Sequence, residues 1–179
     1  MKGFTLVEMM ATLAVDAVLA AIATPGLAAW TASARIETRV RGLVSSLQFA
    51  RSEAIRGNQA LTVCAANFRS NLNLQGCLAR SGTASASWSE GVLVYADNPD
   101  LPNGRFDSGE ARKKLNFDDL ASVSANVDRL TLTPEGRLGS NDIPPRWVIR
   151  EAGGQCASVQ MEATGRARAC RGNGCDGCA

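Results

Sequence analysis

Three arginines, Arg166, Arg168 and Arg171, stand close behind Gly165 near the C-terminus. A guanidinium is a planar fork of donors that matches the oxygens of a phosphate or carboxylate. In an extended strand, alternation puts Arg166 and Arg168 on one side, about 7 Å apart. That is near the spacing of successive phosphates along a nucleic acid. Arg171 follows closely enough to join a compact positive patch. Arginines near a terminus can equally be solvated or touch another subunit, and charge alone leaves both readings open. The net charge of the chain is only +2, so a nucleic-acid reading must rest on this local patch.

The cysteines are the second chemical group. Cys64, Cys77, Cys156, Cys170, Cys175 and Cys178 are even in number, which suits disulfides in an oxidising compartment such as a bacterial periplasm. Order along the chain suggests Cys64 with Cys77, Cys156 with Cys170, and the C-x-x-C pair Cys175 with Cys178. A zinc site built from the last four is the alternative, although only Cys175 and Cys178 have the usual zinc spacing. A redox role for the C-x-x-C lacks a surrounding βαβ pattern. Asp97, Asp100, Asn103, Asp107 and Glu110 suggest a calcium loop at first sight. Pro99, Pro102 and Arg105 interrupt the spacing, and a polar turn is the expected form. No metal and no cofactor are expected.

The chain contains no histidine, and no serine sits in a nucleophile-elbow pattern. No catalytic constellation assembles, so the chain is expected not to be an enzyme. Aromatic residues make up 5% of it, too few to line a large aromatic pocket.

A different chemistry is written at the N-terminus. Residues 4 to 30 are nearly all apolar and meet the roughly 20 residues that a spanning helix needs. Lys2 precedes them, which fits a cytoplasmic N-terminus. Within this run stands Glu8. A carboxylate in a bilayer costs several kcal/mol (about 3 on insertion scales) and usually marks function. Glu8 and Asp16 also argue against the apolar core of an ordinary secretory signal. Asp16 lies about two helical turns after Glu8, on the same face. Neutral drift and a second polar contact between subunits both explain it.

Gly3-Phe4-Thr5-Leu6-Val7-Glu8, followed by an apolar helix and Pro25, resembles the N-terminus of type IV pilin-like proteins. The resemblance implies cleavage between Gly3 and Phe4 by a prepilin peptidase and N-methylation of the new Phe4 amine. It also implies that Glu8 pairs with a neighbouring subunit's terminus during assembly. Pairing relieves the cost of a lone carboxylate in lipid, so docking in register is favoured.

Elements must hold these groups in place. From Thr31 to Arg56 the apolar residues Ile36, Val40, Leu43, Leu47, Ala50 and Ala54 recur at helical spacing. The intervening charges, Arg39 and Glu37 among them, read as a solvated face. Gly57-Asn58 ends the helix, and Pro25 should bend it. Strands are expected at residues 59–65, 91–95, 130–133, 136–138, 147–149, 157–161 and 166–170, with turns at Pro134-Glu135 and Gly153-Gly154. The fold class is therefore α+β, a long helix on a mostly antiparallel sheet. Together with the pilin-like N-terminus, this implies a leader at residues 1–3, a membrane helix at 4–30, and a periplasmic amphipathic helix with its sheet domain at 31–179.

Residues 43–64, joining helix to first strand, resemble the FimT/GspH branch of the pilin-like proteins. Residues 87–98 are similar to its next strand, and 104–114 to the loop after it. With both ends of the chain, the resemblance covers most of the sequence. It implies a FimT-like minor pilin of a type IV pilus, or a GspH-like pseudopilin of a type II secretion system. In either case the subunit sits in the bacterial inner membrane and joins other pilin or pseudopilin subunits. Gly165-Arg166-Ala167-Arg168 matches the Gly-Arg-x-Arg motif of FimT-type pilins, which implies DNA binding for uptake in natural transformation. An anchored periplasmic zinc module is the reading from another class.

Overall fold

The computed structural model describes residues 5–69, 76–78, 85–118, 121–140, 142–151, 154–172 and 174–178, without the side chains at 23–25 and 28. Gly3, Phe4 and Gly153 lie outside the described residues. One helix, α1 (Leu6–Gly57), runs 52 residues, about 80 Å at 1.5 Å per residue. Thr5 is its N-cap, and the Thr5 and Glu8 side chains form a reciprocal capping box. Asn58 closes the helix in the left-handed conformation, and its backbone N–H donates to the Ala54 and Ile55 carbonyls.

The C-terminal half of α1 buries the stripe that its spacing predicts: Ile36, Val40, Leu43, Leu47, Ala50 and Ala54. Burying a leucine such as Leu43 or Leu47 is worth about 2 kcal/mol over leaving it exposed. Among the described side chains of the N-terminal half, the large apolar residues stand uncovered, from Leu6 to Trp30. The charges are not all solvated, contrary to the sequence expectation. Arg39 is buried between α1 and the domain, paired with Asp118 and 3.9 Å from Glu151. Its long stem follows the apolar stripe while its head finds carboxylates.

The strands are β1 (Leu61–Asn67), β2 (Gly76–Cys77), β3 (Ala86–Ser87), β4 (Gly91–Tyr95), β5 (Ala111–Asn116), β6 (Ala121–Ala125), β7 (Arg129–Leu132), β8 (Arg146–Glu151), β9 (Cys156–Met161) and β10 (Ala167–Arg171). All described pairings are antiparallel. One sheet has the order β2-β1-β4-β5 with β7 also on β1, and the other has the order β10-β9-β8-β6-β3. Both pack on α1, and their inward residues merge into one core with the helix stripe. Trp88 and Trp147 meet edge to face in it, with centroids 5.4 Å apart. The α+β fold class is as expected.

β5 corrects the reading of 104–114 as loop. Ala111-Arg112-Lys113-Lys114-Leu115-Asn116 looks too charged for a strand, but it pairs on β4 at a sheet edge with alternate residues exposed. Edge strands tolerate lysines, which also discourage further pairing.

Candidate functional site

The sheet β10-β9-β8 has one face on α1 and one turned away from it. On β8, Trp147, Ile149 and Glu151 point inward, so Arg146, Val148 and Arg150 point outward. On β9, Ala157, Val159 and Met161 belong to the core, and Cys156, Ser158 and Gln160 face out. On β10, Ala167 and Ala169 pack toward the core, and Arg168 and Cys170 face out. Arg166 lies two residues before Arg168 and is exposed. Glu162 N–H donates to the Arg166 carbonyl at 2.9 Å, which continues the β9–β10 pairing one residue past the strand and gives Arg166 the same parity as Arg168.

Arg171 does not join them, which corrects the expected patch. It lies on the helix side of β10, and its Nη2 donates to Oε1 of Glu37 on α1 at 3.0 Å. Glu37 also accepts from Arg41 Nε at 2.6 Å. The hydrogen bond from Arg171, then that from Arg41, lowers the Glu37 carboxyl to about 2. Glu37 in turn raises the Arg171 guanidinium pKa. This pair ties the edge strand to the helix.

Arg168 is bound to Glu162 at 2.7 Å, across the β9–β10 turn, with two-thirds of its side chain exposed. Such an exposed pair holds loosely. Among the described residues Arg166 makes no ion pair. Gly165 sits in that turn at φ +76°, and a Cβ there would lie 2.0 Å from the Gly136 carbonyl oxygen. The glycine of the motif is therefore demanded by backbone contact with the β7-side turn. Its role in presenting the arginines is to let the turn close.

Registers reveal a neighbour that linear reading missed. Arg168 pairs with Gln160, and Gln160 with Arg146. Directly opposed residues share a face, so Arg146, Gln160 and Arg168 form a row across three strands. Arg146 and Arg168 are separated by about two strand spacings, or roughly 9–10 Å. Only the pairing of β8 with β9, set up by the turn at Gly154, could have shown this from the sequence.

The disulfides are Cys64–Cys77, Cys156–Cys178 and Cys170–Cys175. The first is as expected; the other two replace the expected Cys156–Cys170 and Cys175–Cys178. The physical reason is register. Cys170 lies opposite Ser158, not Cys156, and such a diagonal pair is about 7–8 Å apart, too far for a disulfide. Cys175 and Cys178 instead close a turn, with Cys178 N–H donating to the Cys175 carbonyl at 3.0 Å. All four sulfurs of the candidate zinc set are thus joined to one another. The two bonds fold residues 174–178 back over the outer sheet face. There Arg150 donates to the Gly177 carbonyl, Gly177 packs on Val148, and Ser158 is buried.

The acidic loop is held by its own backbone. Asp97 accepts from the N–H groups of Asn103 and Gly104, the latter at 2.7 Å. Glu110 accepts from those of Asn98 at 2.8 Å and Asp107 at 2.7 Å. Its carboxylates act as turn acceptors, consistent with a polar turn.

At the other end of the molecule, Glu8 Oε2 accepts from the Thr5 backbone N–H at 3.2 Å, and the Glu8 N–H donates to Thr5 Oγ1 at 3.3 Å. The Glu8 carboxylate is thus turned toward the helix start. The capping signature Thr5-x-x-Glu8 that marks this helix start stands in the sequence itself. Among the described residues no helix is long and apolar enough to cross a membrane. The spanning segment expected at residues 4 to 30 therefore rests on the sequence.

The prokaryotic N-terminal methylation motif matches residues 1–24. The fold is similar to that of the type IV minor pilin FimU of Pseudomonas aeruginosa. The identity is 16%, covering 74% of this chain and 90% of that one, with a TM-score of 0.53. The minor pseudopilin EpsH from the type 2 secretion system of Vibrio cholerae is 11% identical over 76% of this chain and 97% of that one, with a TM-score of 0.49. No curated protein matches. The family model for type II transport protein GspH matches residues 39–168, most of the chain. The chain belongs to the GspH family of pilin-like and pseudopilin-like proteins.

Proposed function

We propose that this chain is a FimT-like minor pilin: a type IV pilus subunit that binds DNA for uptake through the outer face of β8–β10. It is a filament component and not an enzyme. A prepilin peptidase cuts between Gly3 and Phe4, and the new Phe4 amine is methylated. Glu8, already turned toward the helix start, then serves as the countercharge that registers one subunit against the next. The helix from residue 4 to 30 sits in the inner membrane, with the disulfide-bonded domain in the periplasm.

The observation that carries the DNA reading is the placement of Arg166 and Arg168 side by side on an exposed face. Phosphate contacts would dominate, so binding should be indifferent to sequence and fall steeply with salt. Two arginines give a log–log salt slope of about −2, at about 0.9 per phosphate, and a Kd of roughly 10⁻⁴ to 10⁻⁶ M. The test is titration of the full-length chain in detergent micelles with a short duplex at two salt concentrations. Arg166→Gln combined with Arg168→Gln should abolish binding and leave the fold intact. Equal binding by wild type and double variant, or no binding at low salt, contradicts the reading.

The second reading is a GspH-like pseudopilin of a type II secretion system. It is favoured by the family model, whose description is of type II transport. Absence of DNA binding would move it ahead.

A further inference from the structure

The outer face of β8–β10 carries one more arginine, and the folded-back tail places a carboxylate on it. Arg146 stands in the lateral row with Gln160 and Arg168. Its Nη2 lies 3.8 Å from Oδ2 of Asp176, with the arginine side chain 42% and the aspartate 76% exposed. Asp176 sits between Cys175 and Cys178, both tied back to the sheet by disulfides. It is therefore held near Arg146 by covalent bonds at either side, and not by the strength of the ion pair.

We propose that Arg146 is a third phosphate-binding side chain of this face, and that Asp176 caps it until a phosphate displaces the carboxylate. The proposal rests on the reading of this face as a nucleic-acid site. Three features support it. Arg146, Arg166 and Arg168 form a triangle on one face, with edges of about 7 Å along the strand and 9–10 Å across it. Gln160, exposed between two of them, adds neutral amide donors and no negative charge. The Arg146–Asp176 contact is long and exposed, so it stabilises little, whereas a phosphate can take both arms of a guanidinium fork. Arg171, held by Glu37 on the opposite face, takes no part.

The tail thereby sets the affinity of the face. Glu162 does the same for Arg168 at 2.7 Å. A phosphate bound at Arg146 or Arg168 must replace a carboxylate, which lowers single-subunit affinity. Repetition of the face along a filament would then supply avidity.

The experiment titrates the full-length chain in detergent micelles with a mixed-sequence duplex over a salt series. Arg146→Gln should weaken binding about fivefold, the upper range for one exposed charge contact, and make the log–log salt slope shallower by about 0.9. Asp176→Asn should tighten binding about two- to fivefold by the same measure, and the gain should vanish in the Arg146→Gln background. Arg146→Lys keeps the charge and should keep the slope; a loss equal to that of Arg146→Gln would assign Arg146 a structural role and overturn the proposal. If Arg166→Gln with Arg168→Gln abolishes binding while Arg146→Gln binds as wild type, the Arg146 assignment fails and the nucleic-acid reading stands. If Arg146→Gln weakens binding but Asp176→Asn changes nothing, the cap is refuted. Wild-type chain that binds no duplex at low salt overturns both the reading and the proposal.

Discussion

Replacing Glu151 by alanine is expected to lower folding stability by about 3–5 kcal/mol, the cost of breaking a buried ion pair from one side. Glu151 ends β8 with its side chain 3% exposed, 3.4 Å from Arg35 and 3.9 Å from Arg39. Arg39 is buried too, with Asp118 as its other partner. Removing the Glu151 carboxylate leaves the guanidinium with half of its compensation in a poorly solvated site. The group joins the helix to the second sheet, so its loss should loosen the docking that holds β8–β10 on α1. Urea unfolding of the full-length chain, followed by the fluorescence of Trp88 and Trp147, measures it as a lower midpoint at unchanged slope. Glu151→Gln keeps the shape and should fall between the two. A midpoint within experimental error of wild type would show that this network is solvated and dispensable.

Gly165→Ala is expected to cost about 2–5 kcal/mol. About 1–2 comes from placing a Cβ on left-handed backbone and about 1–3 from forcing apart two packed turns. The added carbon would meet the Gly136 carbonyl oxygen at 2.0 Å. Gly136 is itself closely flanked, since a Cβ there would meet the Ile55 and Arg51 side chains of α1. Thermal unfolding should show a clear drop for Gly165→Ala and almost none for Arg166→Gln with Arg168→Gln. The opposite pattern would mean that the motif glycine serves the ligand and not the turn.

Much of this molecule can be read from its residues, where a single period decides the matter. Ile36, Val40, Leu43, Leu47, Ala50 and Ala54 recur on one helical face, and burial follows. Val92 and Leu93 sit in a continuous apolar run, and β4 is buried throughout. Arg166 and Arg168 share a face because the strand period is two. What could not be read depends on long-range register. Arg171 looks like part of the patch until odd and even positions of β10 are assigned to faces. Arg146 is far in sequence from Arg168 and joins it only through Gln160. The cysteine pairing followed proximity along the chain, while the bonds follow the fold-back of the tail. Arg39 carries the most polar of side chains on a helix face that reads as solvated, and only the positions of Asp118 and Glu151 explain its burial. β5 escaped notice because pairing and edge position, not β propensity, make Arg112 to Leu115 a strand.

The central claim is that this member of the GspH family is processed and assembled as a filament subunit. The decisive measurement is mass spectrometry of the N-terminal peptide of the chain recovered from filaments sheared off cells. It should begin at Phe4, carry one methyl group on its amine, and be missing from the sheared fraction when the cells make Glu8→Val instead. A filament-free chain that still begins at Met1, or one cut at the far end of the apolar run as an ordinary secreted protein would be, contradicts the account.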